Sequence, residues 1–123
     1  MQKKILIIED EPLLLEILRK KMQEEGFSVI SATDGESGLE KAKMESFDLI
    51  LLDLILPAMT GFEVLEQLKS NPATKDITVI ILSNLGQEEE VERGLKLGAA
   101  LYFVKAEIGL GEVVKKVRET LGV

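Results

Sequence analysis

Five short runs, Lys4–Ile8, Ser28–Ala32, Leu49–Leu52, 78–82 and Leu101–Val104, alternate along the chain with longer stretches of helical period. Brief, mostly apolar runs of this kind belong to strands buried on both faces, as in parallel sheets covered by helices. Parallel strands also need a crossover between them, and a helix-like segment fills each gap. The first segment sets Leu14, Ile17, Leu18 and Met22 on one face, and the last does the same with Val113, Val117 and Leu121. The pattern predicts an α/β fold, a five-stranded parallel sheet with helices on both faces. At 123 residues the chain suits one domain, residues 1–123, with no internal linker or repeat.

The punctuation agrees with this division. Pro12 suits the first turn of the first helix, where its missing N–H costs nothing. Gly26 can close that helix in a left-handed conformation. Thr60-Gly61-Phe62-Glu63 fits a capping box, and Ser70-Asn71-Pro72 stops the helix that follows. Glu88, Glu89 and Glu90 place acids in the first turn of the fourth helix, and Gly98 suits its end.

Polar residues close four of the runs: Glu9-Asp10-Glu11 after the first, Asp53 after the third, Ser83 after the fourth and Lys105 after the fifth. In a parallel sheet all of these reach the carboxyl edge, where α/β folds bind ligands. Carboxylates gathered there repel one another unless a cation or shared protons compensate them. An acidic, metal-binding site at that edge is therefore expected.

Composition removes other chemistries. With no cysteine there is no disulfide framework or thiolate zinc site, and with no histidine there is no Ser-His or Cys-His nucleophile. Asp and Glu outnumber Lys and Arg by 22 to 15, a net charge of −7, which disfavours direct nucleic-acid binding. No apolar stretch reaches the length of a membrane span, and the start, Met1-Gln2-Lys3-Lys4, is unlike a signal peptide, so a cytoplasmic location is expected.

Four pieces of sequence now combine: Ile8-Glu9-Asp10-Glu11-Pro12; Asp53-Leu54-Ile55-Leu56-Pro57 with Gly61; Leu82-Ser83; and Gly98-Ala99 with Tyr102-Phe103-Val104-Lys105. In this order and spacing the chain resembles, over its whole length, the receiver domain of two-component response regulators. The resemblance implies a flavodoxin-like fold with strand order 2-1-3-4-5. It implies that Asp53 accepts a phosphoryl group from a histidine kinase or phosphotransfer protein. It further implies that Asp10, Asp53 and the Ile55 carbonyl bind Mg²⁺, with Glu9 acting mainly through bound water. Ser83 and Lys105 would hold phosphoryl oxygens, and Tyr102 would change rotamer as the signal leaves. The output would be a changed surface on the fourth helix, fifth strand and fifth helix, read by a downstream protein or a second copy. Such a module is not an enzyme; it promotes only its own phosphorylation and dephosphorylation.

Three positions depart from the family pattern: Glu9 for an aspartate, Asn84 for a smaller residue, and Ala106 for a proline. A cis bond before a non-proline residue costs roughly 3–4 kcal/mol, so Lys105–Ala106 is expected to be trans. Each site residue also has a plainer reading. Asp53 suits a turn before Pro57, Ser83 a helix cap, Lys105 a surface pair with Glu107, and Tyr102 the packing of an edge strand. Three other functions compete: a receiver that never takes phosphate, an aspartate-nucleophile phosphatase, and a flavin binder. The last two want residues the chain lacks, a carboxylate two after Asp53 and a Ser/Gly-rich loop after the first strand.

Overall fold

Strands and helices alternate throughout the computed structural model, which describes residues 2–123. They are β1 (Lys4–Ile8), α1 (Pro12–Glu24), β2 (Ser28–Ala32), α2 (Gly35–Met44), β3 (Leu49–Leu52), α3 (Gly61–Ser70), β4 (Thr78–Ser83), α4 (Glu88–Lys96), β5 (Leu101–Val104) and α5 (Leu110–Leu121). All strand pairs are parallel and the order is β2-β1-β3-β4-β5, so this is the flavodoxin-like order that the resemblance implies. The order reverses between β1 and β3, which makes their carboxyl ends the switch point where ligands bind in such sheets.

The strands lack polar alternation because both faces are covered. Leu6, Ile8, Ile50, Leu52, Val79 and Ile81 pack with Leu39 of α2 and Phe62, Leu65 and Leu68 of α3. Their neighbours Ile5, Ile7, Leu49, Leu51, Ile80 and Leu82 point the other way, onto Leu18 and Met22 of α1 and Val113, Val114 and Val117 of α5. Fully burying a side chain of this size contributes about 1.5–3 kcal/mol. The two clusters hold the strand ends in register, and so hold the residues just beyond them.

The helix signals act as expected, with three corrections. Pro12 opens α1, and Gly26 and Gly98 take positive φ after α1 and α4. Ile17, expected on the buried face of α1, is 43 % exposed, because the buried stripe is centred on Leu18 and Met22, flanked by partly buried Leu14 and Leu15, and Ile17 stands about 100° round the helix from Leu18. At α3 the Thr60 hydroxyl accepts from the Glu63 N–H at 3.2 Å; the side-chain-to-backbone return bond of a capping box appears at α4, where the Gln87 N–H donates to Glu90 Oε1 at 3.0 Å. Strand β4 runs one residue beyond the expected 78–82, since Ser83 still pairs with Val104 of β5. No helix among the described residues is long and apolar enough to cross a membrane.

The loop from β3 to α3 is tightly built. The Met59 N–H donates to the Pro57 carbonyl at 2.7 Å, a γ-turn that holds Ala58 at φ +66°. Gly61 starts α3 directly on the backbone of Asp53; a Cβ there would lie 2.2 Å from the Asp53 carbonyl oxygen. A left-handed residue costs an L side chain about 1–2 kcal/mol, against about 0.4–1 kcal/mol lost by loosening the unfolded chain with glycine. Ala58→Gly should therefore raise stability by ~0.5–1 kcal/mol, whereas Gly61→Ala should lower it by about 1–3 kcal/mol through overpacking. Urea unfolding of the two variants checks both signs.

Candidate functional site

Backbone pairing carries the acidic residues past the strand ends. The Glu9 N–H donates to the Ala32 carbonyl and the Asp53 N–H to the Ile8 carbonyl, both at 3.0 Å. Two carboxylates are thereby fixed side by side at the switch point, and both are buried, Glu9 at 2 % and Asp53 at 4 % exposure. Asp10 is exposed beside them, and carboxylate oxygens of Glu9, Asp10 and Asp53 all lie within 4.8 Å of one another.

Lys105 answers this charge. Its Nζ lies 2.8 Å from Glu9 Oε1, 2.9 Å from Asp53 Oδ2 and 3.8 Å from Glu11 Oε2. The surface pairing with Glu107 is set aside, because the ammonium turns inward. One ammonium cannot neutralise the three clustered carboxylates, so the edge keeps an excess of negative charge. Burial raises the Glu9 carboxyl above its ordinary value, with the Asp53 charge adding to it, although bonds from Lys105 and the Glu11 N–H pull the other way. For Lys105 burial favours the neutral amine, but hydrogen bonds to Glu9 and Asp53 and their charges outweigh it, and the ammonium is held above the ordinary lysine value.

The remaining bonds orient the cluster. Asp53 Oδ1 accepts from the Ile55 N–H at 3.2 Å while Oδ2 takes Lys105, so both carboxylate oxygens are held. Glu9 Oε2 accepts from the Glu11 N–H at 3.0 Å. The Lys105–Ala106 bond is trans, as expected, and Lys105–Glu107 forms a short 3₁₀ turn.

Ser83 is fully buried at the end of β4, and its Oγ accepts from the Leu85 N–H at 3.4 Å. It does not cap α4, whose cap residue is Gln87. The Tyr102 hydroxyl donates to the Leu85 carbonyl, so Leu85 is gripped from both sides of its backbone. Burial pushes the Tyr102 phenol up to about 12, helped by the charges of Glu90 and Asp53. Sequence reasoning missed Leu85, because a backbone carbonyl used as an acceptor leaves no side-chain signal. It also missed the approach of Glu11 to Lys105, for which the acidic triplet was a usable clue.

With this geometry in place, the comparisons with known proteins agree. The model of the response regulator receiver domain family matches residues 5–118, and the chain belongs to that family. It is 39 % identical over 107 residues to the gliding motility regulatory protein of Myxococcus xanthus, covering 87 % of this chain and 14 % of that protein. It is 38 % identical over 105 residues to the alkaline phosphatase synthesis transcriptional regulatory protein PhoP of Bacillus subtilis, covering 85 % of this chain and 43 % of PhoP. The chain thus spans less than half the length of these two relatives. Among solved structures, a CheY-like response regulator receiver domain protein of Methanospirillum hungatei superposes with a TM-score of 0.92 at 29 % identity, covering 99 % of this chain and 95 % of that one. The phosphorylated cyanobacterial phytochrome response regulator RcpA gives 0.85 at 28 % identity, covering 98 % and 94 %.

Removing one partner of a buried ion pair costs roughly 3–5 kcal/mol. Lys105→Met should lower stability by about 3 kcal/mol at neutral pH. The Glu9 carboxyl keeps its proton to higher pH folded than unfolded, so this loss should shrink as pH falls into the carboxylate range; thermal melts from pH 4 to 8 would read it. At the alkaline end the folded state holds the Tyr102 proton longer than the unfolded chain does. Stability should fall as pH rises from the ordinary tyrosine value of 10 towards about 12, and Tyr102→Phe should remove that component. Phenolate absorbance alongside the melts would assign it.

Proposed function

We propose that this chain is one receiver domain, residues 1–123, that acts in the cytoplasm as a phosphorylation-controlled switch, with Asp53 as the phosphoryl acceptor. The observation that carries the reading is the Asp53 carboxylate, held by the Ile55 N–H and Lys105 beside a cluster of acids. The donor is a histidine kinase or a phosphotransfer protein, as for receiver domains in general. An Asp53 oxygen attacks phosphorus in line while the bond to the donor breaks, and a carboxylate needs no general base for this. Lys105 then places its charge against the phosphoryl oxygens, and the Ser83 hydroxyl donates to one of them.

The donor set fits Mg²⁺. Hard oxygen ligands with at least one exposed carboxylate suit a cation that keeps part of its water, and here Glu9 and Asp53 are buried while Asp10 faces solvent. Asp10, Asp53 and the Ile55 carbonyl would hold the ion, with Glu9 assisting through water. When bound, it neutralises the oxygens of the moving phosphoryl group. The residues of this chain supply the nucleophile, the orienting N–H and the second cation, Lys105.

Leu85 offers the way out of the site. Recruiting Ser83 to a phosphoryl oxygen disturbs its bond with the Leu85 N–H, and the Leu85 carbonyl is the acceptor of Tyr102. Tyr102 lies on β5, so the signal reaches the surface of α4, β5 and α5, for a downstream protein or a second copy. On that surface Ala100 is exposed and Leu95 of α4 is 45 % exposed, whereas Leu101 and Phe103 are partly buried against the α1–α5 side. The module works by binding and promotes only its own phosphorylation and dephosphorylation. A phosphatase reading fares worse, since the residue two after Asp53 is the half-exposed Ile55 and not a carboxylate.

Acetyl phosphate with Mg²⁺ should add one phosphoryl mass to the intact chain and none to Asp53→Asn. Label persisting in that variant would exclude Asp53 as the sole acceptor. Mg²⁺ should also raise the melting temperature, since a ligand at a hundred times its dissociation constant stabilises by about 2.7 kcal/mol. Asp10→Asn should abolish most of that rise; an unchanged rise would remove Asp10 from the ligand set.

A further inference from the structure

Helix α4 is lightly anchored, with Gly94 as its one buried residue. Gly94 sits against β4 and β5, where a Cβ would come within 2.7 Å of Ile81 Cδ1 and 3.0 Å of the Tyr102 ring. A contact from the neighbouring residue ties the helix to α3. The guanidinium carbon of Arg93 lies 4.2 Å from the centroid of the Phe62 ring, well inside the range of a cation–π interaction. Four glutamates, Glu88, Glu89, Glu90 and Glu92, lie within a turn and a half of Arg93, yet none of the ion pairs among the described residues includes it. The cation rests on the aromatic face.

Phe62 is a telling place for that contact. It is 6 % exposed and sits in the first turn of α3, packed in the core, so its ring cannot shift independently of that turn. The preceding residue, Gly61, is pressed onto the Asp53 carbonyl and donates its N–H to the Leu54 carbonyl at 2.9 Å. The start of α3 therefore follows the backbone of Asp53, and Arg93 follows the start of α3.

We propose that the Arg93–Phe62 stack is a latch that holds α4 in its resting position and transmits movement of the Asp53 loop to α4 separately from Tyr102. Its resting half stands on the contact itself. Its switching half rests on phosphorylation of Asp53.

Hydrogen exchange of the α4 amides, followed by mass spectrometry in the intact chain, tests both halves. Without phosphate, Arg93→Gln should speed exchange in α4 about two- to five-fold, the effect of losing an exposed cation–π contact, and Arg93→Lys should do less. Acetyl phosphate with Mg²⁺ should speed α4 exchange in the wild type and in Tyr102→Phe, but by a smaller factor in Arg93→Gln and least in the double variant; an equal factor in the wild type and Arg93→Gln would overturn the switching half. Unchanged exchange in unphosphorylated Arg93→Gln would overturn the latch. So would a change that grows with protein concentration, which would assign Arg93 to a contact between copies. Intact mass recorded in the same samples separates the two proposals: absence of the phosphoryl mass would overturn the role of Asp53 and with it the switching half, while the unphosphorylated pair still decides the resting contact.

Discussion

The Lys105 ammonium closes a problem that the rest of the architecture creates. Parallel strands buried on both faces have no polar face, so polar residues that must leave the sheet leave it together, at one edge. Here the edge delivers two buried carboxylates, Glu9 and Asp53, with Asp10 beside them. Burial makes charge costly and proximity makes like charge costlier. Lys105, reaching from the end of β5 to oxygens on the ends of β1 and β3, ties three strands through charge where their backbone pairing stops.

The compensation is incomplete, and the edge keeps an excess of carboxylate. A site with matched charges would be a structural ion pair and nothing more. The surplus of carboxylate leaves a demand for positive charge that solvent reaches through exposed Asp10. Burial first, and the neighbouring Asp53 charge after it, make Glu9 reluctant to ionise although it touches an ammonium. Structural stability and readiness for a cation therefore pull against each other at one small cluster.

Much of this was legible in the sequence. Four of the five strand spans coincide with the apolar runs; β1 and β3, buried on both faces, leave room for little else, while the edge strands β2 and β5 are only partly buried. Asp53, Glu9 and Lys105 were legible because charge just beyond an apolar run has few structural uses. What was not legible depends on contacts between elements. Ser83 joins β4 because Val104 lies opposite it, and how far the core covers α1 decides that Leu18 is buried and Ile17 is not. The grip on Leu85 involves its backbone, and the seat of Arg93 depends on how far α4 lies from α3. Neither has a period or spacing to betray it.

The directions of β1 and α5 have one more consequence. β1 begins at Lys4, whose N–H is tied to Asp48 at the amino edge of the sheet, and α5 runs back to that same edge, where Arg118 donates to the Glu25 carbonyl at 3.3 Å. Both ends of the described chain thus emerge at the pole opposite Asp53, with the depth of the sheet, roughly 15 Å for a five-residue strand, in between. A polypeptide joined at either end would lie about that far from any charge change at the acidic pole, roughly two Debye lengths in physiological salt. A phosphoryl group proposed for Asp53 would therefore make itself felt at that far pole by displacing packed elements more than by the reach of its charge.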